Sequence, residues 1–430
     1  MDTNFDTTSL AGHDLWTDAD RQSLDNSAAA ERETGPIDSP QTAPAPVDLA
    51  RLAAPSSLPL ETRALWVTRW DFRTADDIRR LADNAADANF NALFLQVRGN
   101  ADAFYRSPLE PWAARLSGGE LGDDPGWDPL ALAVDEAHAR GLEVHTWLNV
   151  YPAWLGETLP SAAQPEPMVS KFNRLHGDQW VVWDRHQQPM ELNNHYLWSN
   201  PGHQAVLEHI TAVGQDMVAR YYVDGLHLDY VRYPGWEYSR DPLTLAAVAE
   251  TGLDRKEWQR RQVNQLVAQL YNSIQRLKPG LTLSAAVWPV YLETWEWWDA
   301  GDGYDGFCQD SVGWVQEGIA DLICPMFYLA SITTDDAQYQ ALLEDFVARA
   351  GKEHVVAGII ANYDSFETIA RRIDIARAAG AAGQSIFSYS HVNQRDYWSA
   401  FKAGPYATPA RILLPEPSRR RVGEMLQARR

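Results

Sequence analysis

The segment Val223-Asp224-Gly225-Leu226-His227-Leu228-Asp229-Tyr230-Val231-Arg232-Tyr233-Pro234 sets an imidazole and a carboxylate two residues apart. Successive side chains of a strand point to opposite faces. Leu226 and Leu228 therefore share one face, and His227 and Asp229 share the other. In a parallel barrel the leucines would lie under helices. The polar pair would face the mouth, where catalytic groups project from the C-terminal strand ends. Pro234 cannot donate to a ladder, so the strand is expected to stop there. Burying both polar groups is costly unless they are hydrogen-bonded or functional. A satisfied core pair that only shapes the interior is the competing reading. Metal ligation is another, with His145 joining His227 and Asp229 in a set of two histidines and one carboxylate. The first predicted strand offers no His-x-His and the inner face elsewhere is aromatic, so no metal and no cofactor is expected.

Such residues need a scaffold, and the chain supplies a repeating one. Strand patterns fall at Arg63–Trp70, Ala92–Arg98, Glu143–Asn149, Val223–Pro234, Thr282–Trp288, Leu322–Tyr328, Val355–Ala361 and Gln384–Tyr389. Helical stretches lie between them. Thr74 caps one, Asp128-Pro129 opens the next, which Gly141 ends, and others span Pro201–Tyr222, Arg255–Leu277, Asp310–Gly318, Asp335–Ala350 and Ser365–Ala379. Eight short strands with helical connections predict an α/β fold, a (β/α)₈ TIM barrel with long βα loops. Alternation turns Trp66, Thr68, Trp70, Phe94, Gln96, Arg98, His145, Trp147 and Asn149 inward. Asp71 directly follows the first strand. Asp102 lies in the loop after the second, and Glu293 and Glu296 in the loop after the fifth. About 50 residues separate the third strand from the next helix, and loops that long are usually functional. This one carries Trp154, Phe172, Trp180, Trp183 and Trp198, so an ordered lid is expected, with a small β-ribbon at Val181–Leu192.

Composition narrows the function. Net charge is −21, which opposes binding to nucleic acid or an anionic membrane surface. No apolar run reaches the roughly 18 residues of a membrane span. The beginning of the chain has no basic n-region or apolar h-region, which reads as cytoplasmic. Two cysteines, Cys308 and Cys324, cannot build a disulfide framework. The 18 tryptophans are the outlier; a flat apolar face with one donor suits amphipathic rings, although core packing claims many of them. Residues 1–57 are Ala/Pro/Ser/Thr/Asp-rich and aperiodic, and are expected to be disordered. The barrel is expected over 58–404, with 405–430 a tail ending in basic residues.

The chain resembles the bacterial glycosyl-hydrolase-like family 10. The resemblance rests on Thr62–Val67, Gln96–Arg98 with Asp102–Tyr105 and Ser107, Glu110-Pro111-Trp112, Gly141–Asn149, Val223–Pro234, Gln309-Asp310-Ser311, Asp321 and Pro325–Tyr328, in family order. It implies a barrel related to glycoside hydrolases that carry an acidic nucleophile at the end of strand 4. It also implies a glycan polymer or oligosaccharide as partner, for some members peptidoglycan strands without stem peptides, and an exported protein. Many relatives have two adjacent acids where this chain has Asp229-Tyr230, and related hydrolases often end strand 5 in Glu where this chain has Trp288-Pro289. Glycoside hydrolysis usually needs two carboxyl groups. Asp229, at the end of strand 4, is read as nucleophile or base, and Glu293, five residues past strand 5, as the leading acid, with Glu296, Asp71 and Asp102 in reserve. Arg98 and Arg232 would hold Asp229 ionised or bind hydroxyls, and His227 would hydrogen-bond it. Trp70, Trp147 and Trp288 would stack on sugar rings. Gln96, Asn149 and Tyr328 would supply hydrogen bonds, and His145, Asp71 and Asp102 would complete the binding set. A non-catalytic carbohydrate-binding barrel is the alternative that the missing strand-5 Glu favours.

Overall fold

The computed structural model describes residues 58–295, 297, 301–328 and 335–412. The expected disordered segment 1–57, the basic end of the tail and Glu296 lie outside the described residues. In chain order the strands are β1 (Thr62–Val67), β2 (Ala92–Arg98), β3 (Glu143–Asn149), β4 (Pro152–Leu155), β5 (Tyr196–Trp198), β6 (Gly225–Asp229), β7 (Thr282–Val287), β8 (Leu322–Pro325), β9 (Val356–Ile360) and β10 (Gly383–Phe387). Eight of them form one parallel sheet in the order β8-β7-β6-β3-β2-β1-β10-β9. A parallel bridge between Ile323 and Val355 brings its two ends together, so the sheet is a nearly closed (β/α)₈ barrel.

Local chemistry explains where the helices start. Thr74 forms a capping box with Asp77 at the head of helix Ala75–Asp87. Asp128 caps Pro129–Ala139, Asp254 caps Arg255–Leu277, Asp335 caps Asp336–Ala350 and Ser365 caps Phe366–Ala378. The strand alternation then divides the apolar residues into two cores. Leu65, Leu95, Leu226, Leu228, Leu283 and Ile386 pack outward against the helices. Ala64, Trp66, Phe94, Trp147, Cys324, Tyr328 and Phe387 fill the barrel. Truncating a fully buried residue such as Leu226 to Ala costs about 2–5 kcal/mol.

Strands β1 and β8 end three residues earlier than expected, at Val67 and Pro325, and three further elements depart more strongly. The central strand stops at Asp229, not at Pro234, because Tyr230 turns to φ 52°, outside any ladder conformation. A bulky residue there stores about 1–3 kcal/mol of strain, which sends the chain back over the mouth. The ribbon of the long loop is antiparallel β4–β5, while Val181–Leu192 contributes only the isolated bridges Val181–Ser199 and Trp183–Pro189. A helix at Pro242–Thr251 follows the central strand; its Asp241 cap and Pro242 repeat the signal read at Asp128-Pro129 but were not read there. Packing also continues past Gly404: Tyr406 is fully buried against Phe90 and Phe401, and its hydroxyl donates to Gln384 at 3.3 Å.

Candidate active site

The barrel interior has a sealed floor. His227 is fully buried and stacks on Phe94 at 4.1 Å. Its Nε2 accepts from the Trp66 indole at 2.9 Å, and since indole only donates, this nitrogen carries no proton. Nδ1 therefore holds the proton and donates to the Ser284 hydroxyl at 2.8 Å. Burial, then the nearby His145, pushes the His227 pKa well below its ordinary value, so the ring is neutral. Both nitrogens are committed, and the expected hydrogen bond to Asp229 is not available. His227 is thus the satisfied core group of the competing reading, and Asp229 stands apart from it. His145 is lower still. It pairs in register with Gly225, where an added Cβ would lie 2.3 Å from its Nδ1, and its Nε2 meets Glu143 at 3.1 Å. Four residues along β3 separate it from Asn149, the register partner of Asp229, a span of about 13 Å at strand rise. The set His145, His227 and Asp229 therefore does not converge on a metal. No group of three or more His, Cys, Asp or Glu side chains suited to a metal occurs among the described residues.

Above the floor, polar groups gather at the strand ends. Asp229 is buried and its Oδ1 accepts the Tyr230 N–H at 2.7 Å, a bond that the turn at Tyr230 creates. Beside it, Asn149 Oδ1 accepts from Trp147 Nε1 and Gln96 Nε2, both at 3.1 Å. Gln96 Oε1 in turn accepts the Arg69 N–H at 3.0 Å. This chain ties the rims of β1, β2 and β3 to the strand of Asp229. It fixes Gln96, Trp147 and Asn149 around the mouth, where they were expected. Tyr328 stacks on Phe387 at 5.1 Å; burial, then the Asp229 charge, drives its phenol well above the ordinary value, so it remains a donor.

Asp71 sits at the end of β1. Its Oδ2 accepts the Thr68 N–H at 2.7 Å and the Thr68 hydroxyl at 2.9 Å. The residue keeps some surface open, yet its carboxyl sits deep among protein atoms. Burial pushes the carboxyl up to about 6, against opposing hydrogen bonds from Thr68 and Ser390 and the Arg115 charge. Strands β1 and β6 are three steps apart around the eight-stranded ring, so Asp71 and Asp229 follow from different, non-adjacent strands. Half-buried Trp70 lies beside Asp71, with Arg69 and Arg115 over its ring at 4.9 and 5.0 Å.

The two arginines part company. A register shift between Gln96 and Arg98 turns Arg98 off the inner face. It is fully buried, its Nε and Nη2 bind Glu110 at 2.8–3.0 Å, and Nη1 donates to the carbonyls of Asn149, Val150 and Pro152. His209 meets the same Glu110 at 2.9 Å. Burial alone would raise the Glu110 pKa, but Arg98 and His209 hold it at about 2. Arg98 is therefore a clamp under the long loop and neither holds Asp229 nor meets substrate. Arg232 lies instead among Trp198, Tyr230, Trp288 and Phe307, 5.0–5.4 Å from each ring. Trp288 is largely buried, its ring 4.0 Å from that of Phe307 and tilted to it by 39°, and serves as a wall of this cage.

Glu293 folds back on its own loop: Oε1 accepts the Trp295 N–H at 2.8 Å and its N–H donates to Asp302 at 3.0 Å. Asp102 binds the Asn100 N–H at 3.0 Å in the same manner. Sequence reasoning missed Ser390, and it named Thr68 and Gln309 without giving them a role. Gln309 accepts the Trp288 N–H at 2.7 Å and donates to the Val231 carbonyl at 3.3 Å, joining the ends of β6 and β7. Its place in the Gln309-Asp310-Ser311 motif was the available signal.

A parallel barrel with carboxyl groups at its strand ends is an architecture used by glycoside hydrolases. The glycoside hydrolase domain of PgaB (BpsB) from Bordetella bronchiseptica matches 80% of this chain and 98% of its own, with TM-score 0.58 and 15% identity. An α-L-fucosidase isoenzyme 2 from Paenibacillus thiaminolyticus matches 81% of this chain and 49% of its own, with TM-score 0.54 and 14% identity. At these identities the shared property is the fold. The glycosyl hydrolase-like 10 model matches residues 61–362, and the chain belongs to that family. The glycosyl hydrolase YngK of Bacillus subtilis (strain 168) is 29% identical over 66% of this chain and 57% of its own length. The glycosyl hydrolase DigH of Escherichia coli (strain K12) is 28% identical over 57% and 56%. The chain thus spans little more than half of these relatives.

Proposed function

We propose that the protein is a glycosidase in which Asp71 donates a proton and Asp229 acts as nucleophile or base. One observation carries this reading: carboxyl groups stand at the ends of two non-adjacent barrel strands, and one of them, Asp71, is held at about 6. Opposed environments for two titratable groups are how one site supplies both an acid and a base near neutral pH. Asp71 delivers its proton to the glycosidic oxygen as the C–O bond breaks. Asp229 stabilises or attacks the positive charge developing on the sugar ring, and water completes hydrolysis. Asp71 replaces Glu293 as the acid because the Glu293 carboxylate is engaged with its own loop. Gln96, Asn149 and Tyr328 bind hydroxyls, and half-buried Trp70 stands beside Asp71 at the same rim.

Family membership and relatives named as glycosyl hydrolases support a glycan substrate. Peptidoglycan glycan strands lacking stem peptides are the polymer to try first. Purified strands, with and without stem peptides, should yield shorter oligosaccharides by mass spectrometry with the wild-type protein and none with Asp229→Asn. Intact strands after prolonged incubation, or equal product from the variant, would contradict the assignment.

A further inference from the structure

Several arginines that lie over aromatic rings in this molecule also pair with a carboxylate. Arg63 lies 4.5 Å over Tyr406 and pairs with Glu61 at 2.7 Å. Arg260 lies 4.0 Å over Tyr304 and pairs with Asp305 at 2.8 Å. Arg349 lies 5.8 Å over Tyr291 and pairs with Asp345 at 2.8 Å. Arg372 lies 4.8 Å over Tyr339 and pairs with Asp336 at 3.3 Å. In each case the ring holds the flat face of the guanidinium and a carboxylate takes its edge.

Arg232 has the rings without the carboxylate. Four of them surround it, and the residue is 9% exposed. Among the described residues no hydrogen-bond acceptor meets its donors, although the Asp229 charge acts on it through space. Its nitrogens nevertheless still touch solvent, unlike the sealed Nε atoms of Arg115, Arg240 and Arg260. Rings attract a cation but accept none of its five N–H groups in the plane, and unmet buried donors are costly. Burial also pulls its pKa down, so the site is unfavourable for the free protein. An oriented planar fork with open edges matches a carboxylate, which it can bind through two parallel hydrogen bonds. The overall charge of −21 would repel an anionic chain at long range, so recognition of one requires a local cation of this kind.

We propose that Arg232 is a specificity site for a carboxylate carried by a sugar next to the scissile bond, so that the substrate is an acidic glycan. The sugar part rests on the glycosidase reading; the carboxylate part rests on Arg232. A lactyl ether and a uronic acid share the required chemistry.

Binding to the full chain can be followed by tryptophan fluorescence, because Trp198 and Trp288 line the cage. The probes are muramic-acid-containing oligosaccharides freed of stem peptides, the same oligosaccharides with their carboxyls reduced to alcohols, oligogalacturonates, and chitin oligosaccharides. Wild-type protein should bind one acidic series about 100-fold more tightly than its neutral counterpart. Arg232→Gln, checked for folding by circular dichroism, should bring that ratio to within about threefold, and Arg232→Lys should fall between because it lacks the fork. The preferred acidic series distinguishes lactyl from uronic acid. Equal affinity for acidic and neutral sugars, a preference that survives Arg232→Gln, or no binding by any probe would overturn the proposal. Arg232-dependent binding of an acidic glycan that is never cleaved would sustain it and end the glycosidase reading. Cleavage indifferent to the carboxylate would do the reverse.

Discussion

Arg98 and Arg232 are both buried arginines near strand ends on one side of the same barrel, and they have opposite surroundings. Arg98 has its charge answered by Glu110, its remaining donors by three carbonyls, and its partner by His209. Arg232 has rings around it and no acceptor among the described residues. The same contrast separates His227, with both nitrogens committed, from Asp71, whose carboxyl is lifted to about 6. Charges matched within the chain hold the barrel and its long loop together. On the proposed reading, charges left under strain at the rim would mark where a ligand enters. Such strain lowers stability and is retained where function needs it.

The contrast can be broken most forcefully at the clamp. Glu110→Gln leaves Arg98 buried without its counter-charge and should cost about 3–5 kcal/mol, read as a fall of several degrees in Tm. An unchanged Tm would remove the clamp from the stability of the fold. The pH dependence has a defined sign. The Glu110 pKa is depressed from 4.5 to about 2, so its contribution, about 3 kcal/mol, is present above pH 4.5 and lost as pH falls through 2. Arg232→Gln, by contrast, should shift Tm by less than about 1 kcal/mol equivalent, since it removes a cation that makes no hydrogen bond among the described residues.

At the rim the expected order follows the chemistry. Asp229→Asn should fold normally and lose at least about a hundredfold in turnover on a cleaved glycan. Near-normal turnover would take Asp229 out of the mechanism. Asp71→Asn should be more stable than wild type at pH 8, by about 1 kcal/mol in chemical denaturation. The folded pKa of about 6 lies above the ordinary 3.8, so the penalty on the charged form is full above pH 6 and vanishes below 3.8. The gain should therefore disappear at pH 4, and a gain of equal size at both pH values would assign it to packing instead. The smallest effect is expected at Glu293→Gln, less than about threefold in turnover, because an amide oxygen can still accept the Trp295 N–H.

Much of this was legible in the chain, because period-two alternation and Asp, Ser and Thr caps are local. Strands β2 and β3 fall where the pattern put them, and helix Arg255–Leu277 does too. The inward positions of Trp66, Gln96, Trp147 and Asn149 follow from the same alternation. What alternation cannot show is the partner. His227 and Asp229 share a face, but Trp66 and Ser284, 161 and 57 residues away, decide that only one of them is saturated. The bulge that turns Arg98 toward Glu110 and the backbone turn at Tyr230 each break the alternation by one residue, and periodicity carries no mark of either. Asp71 was visible at the end of its strand, but its raised pKa depends on enclosure by Thr68, Ser390 and their neighbours, which only the closed barrel brings together.

The most direct test is the pH profile of kcat/KM for glycan cleavage by wild type and Asp71→Asn. This ratio reports groups of the free enzyme. A proton donor must be protonated to act, so wild-type kcat/KM should fall tenfold per pH unit above an apparent pKa near 6. In Asp71→Asn the remaining activity should be lower by about 100-fold and should no longer show that alkaline limb. An alkaline limb near 6 that persists in Asp71→Asn, or a wild-type profile flat from pH 5 to about 8, would contradict the assignment of Asp71 as the acid.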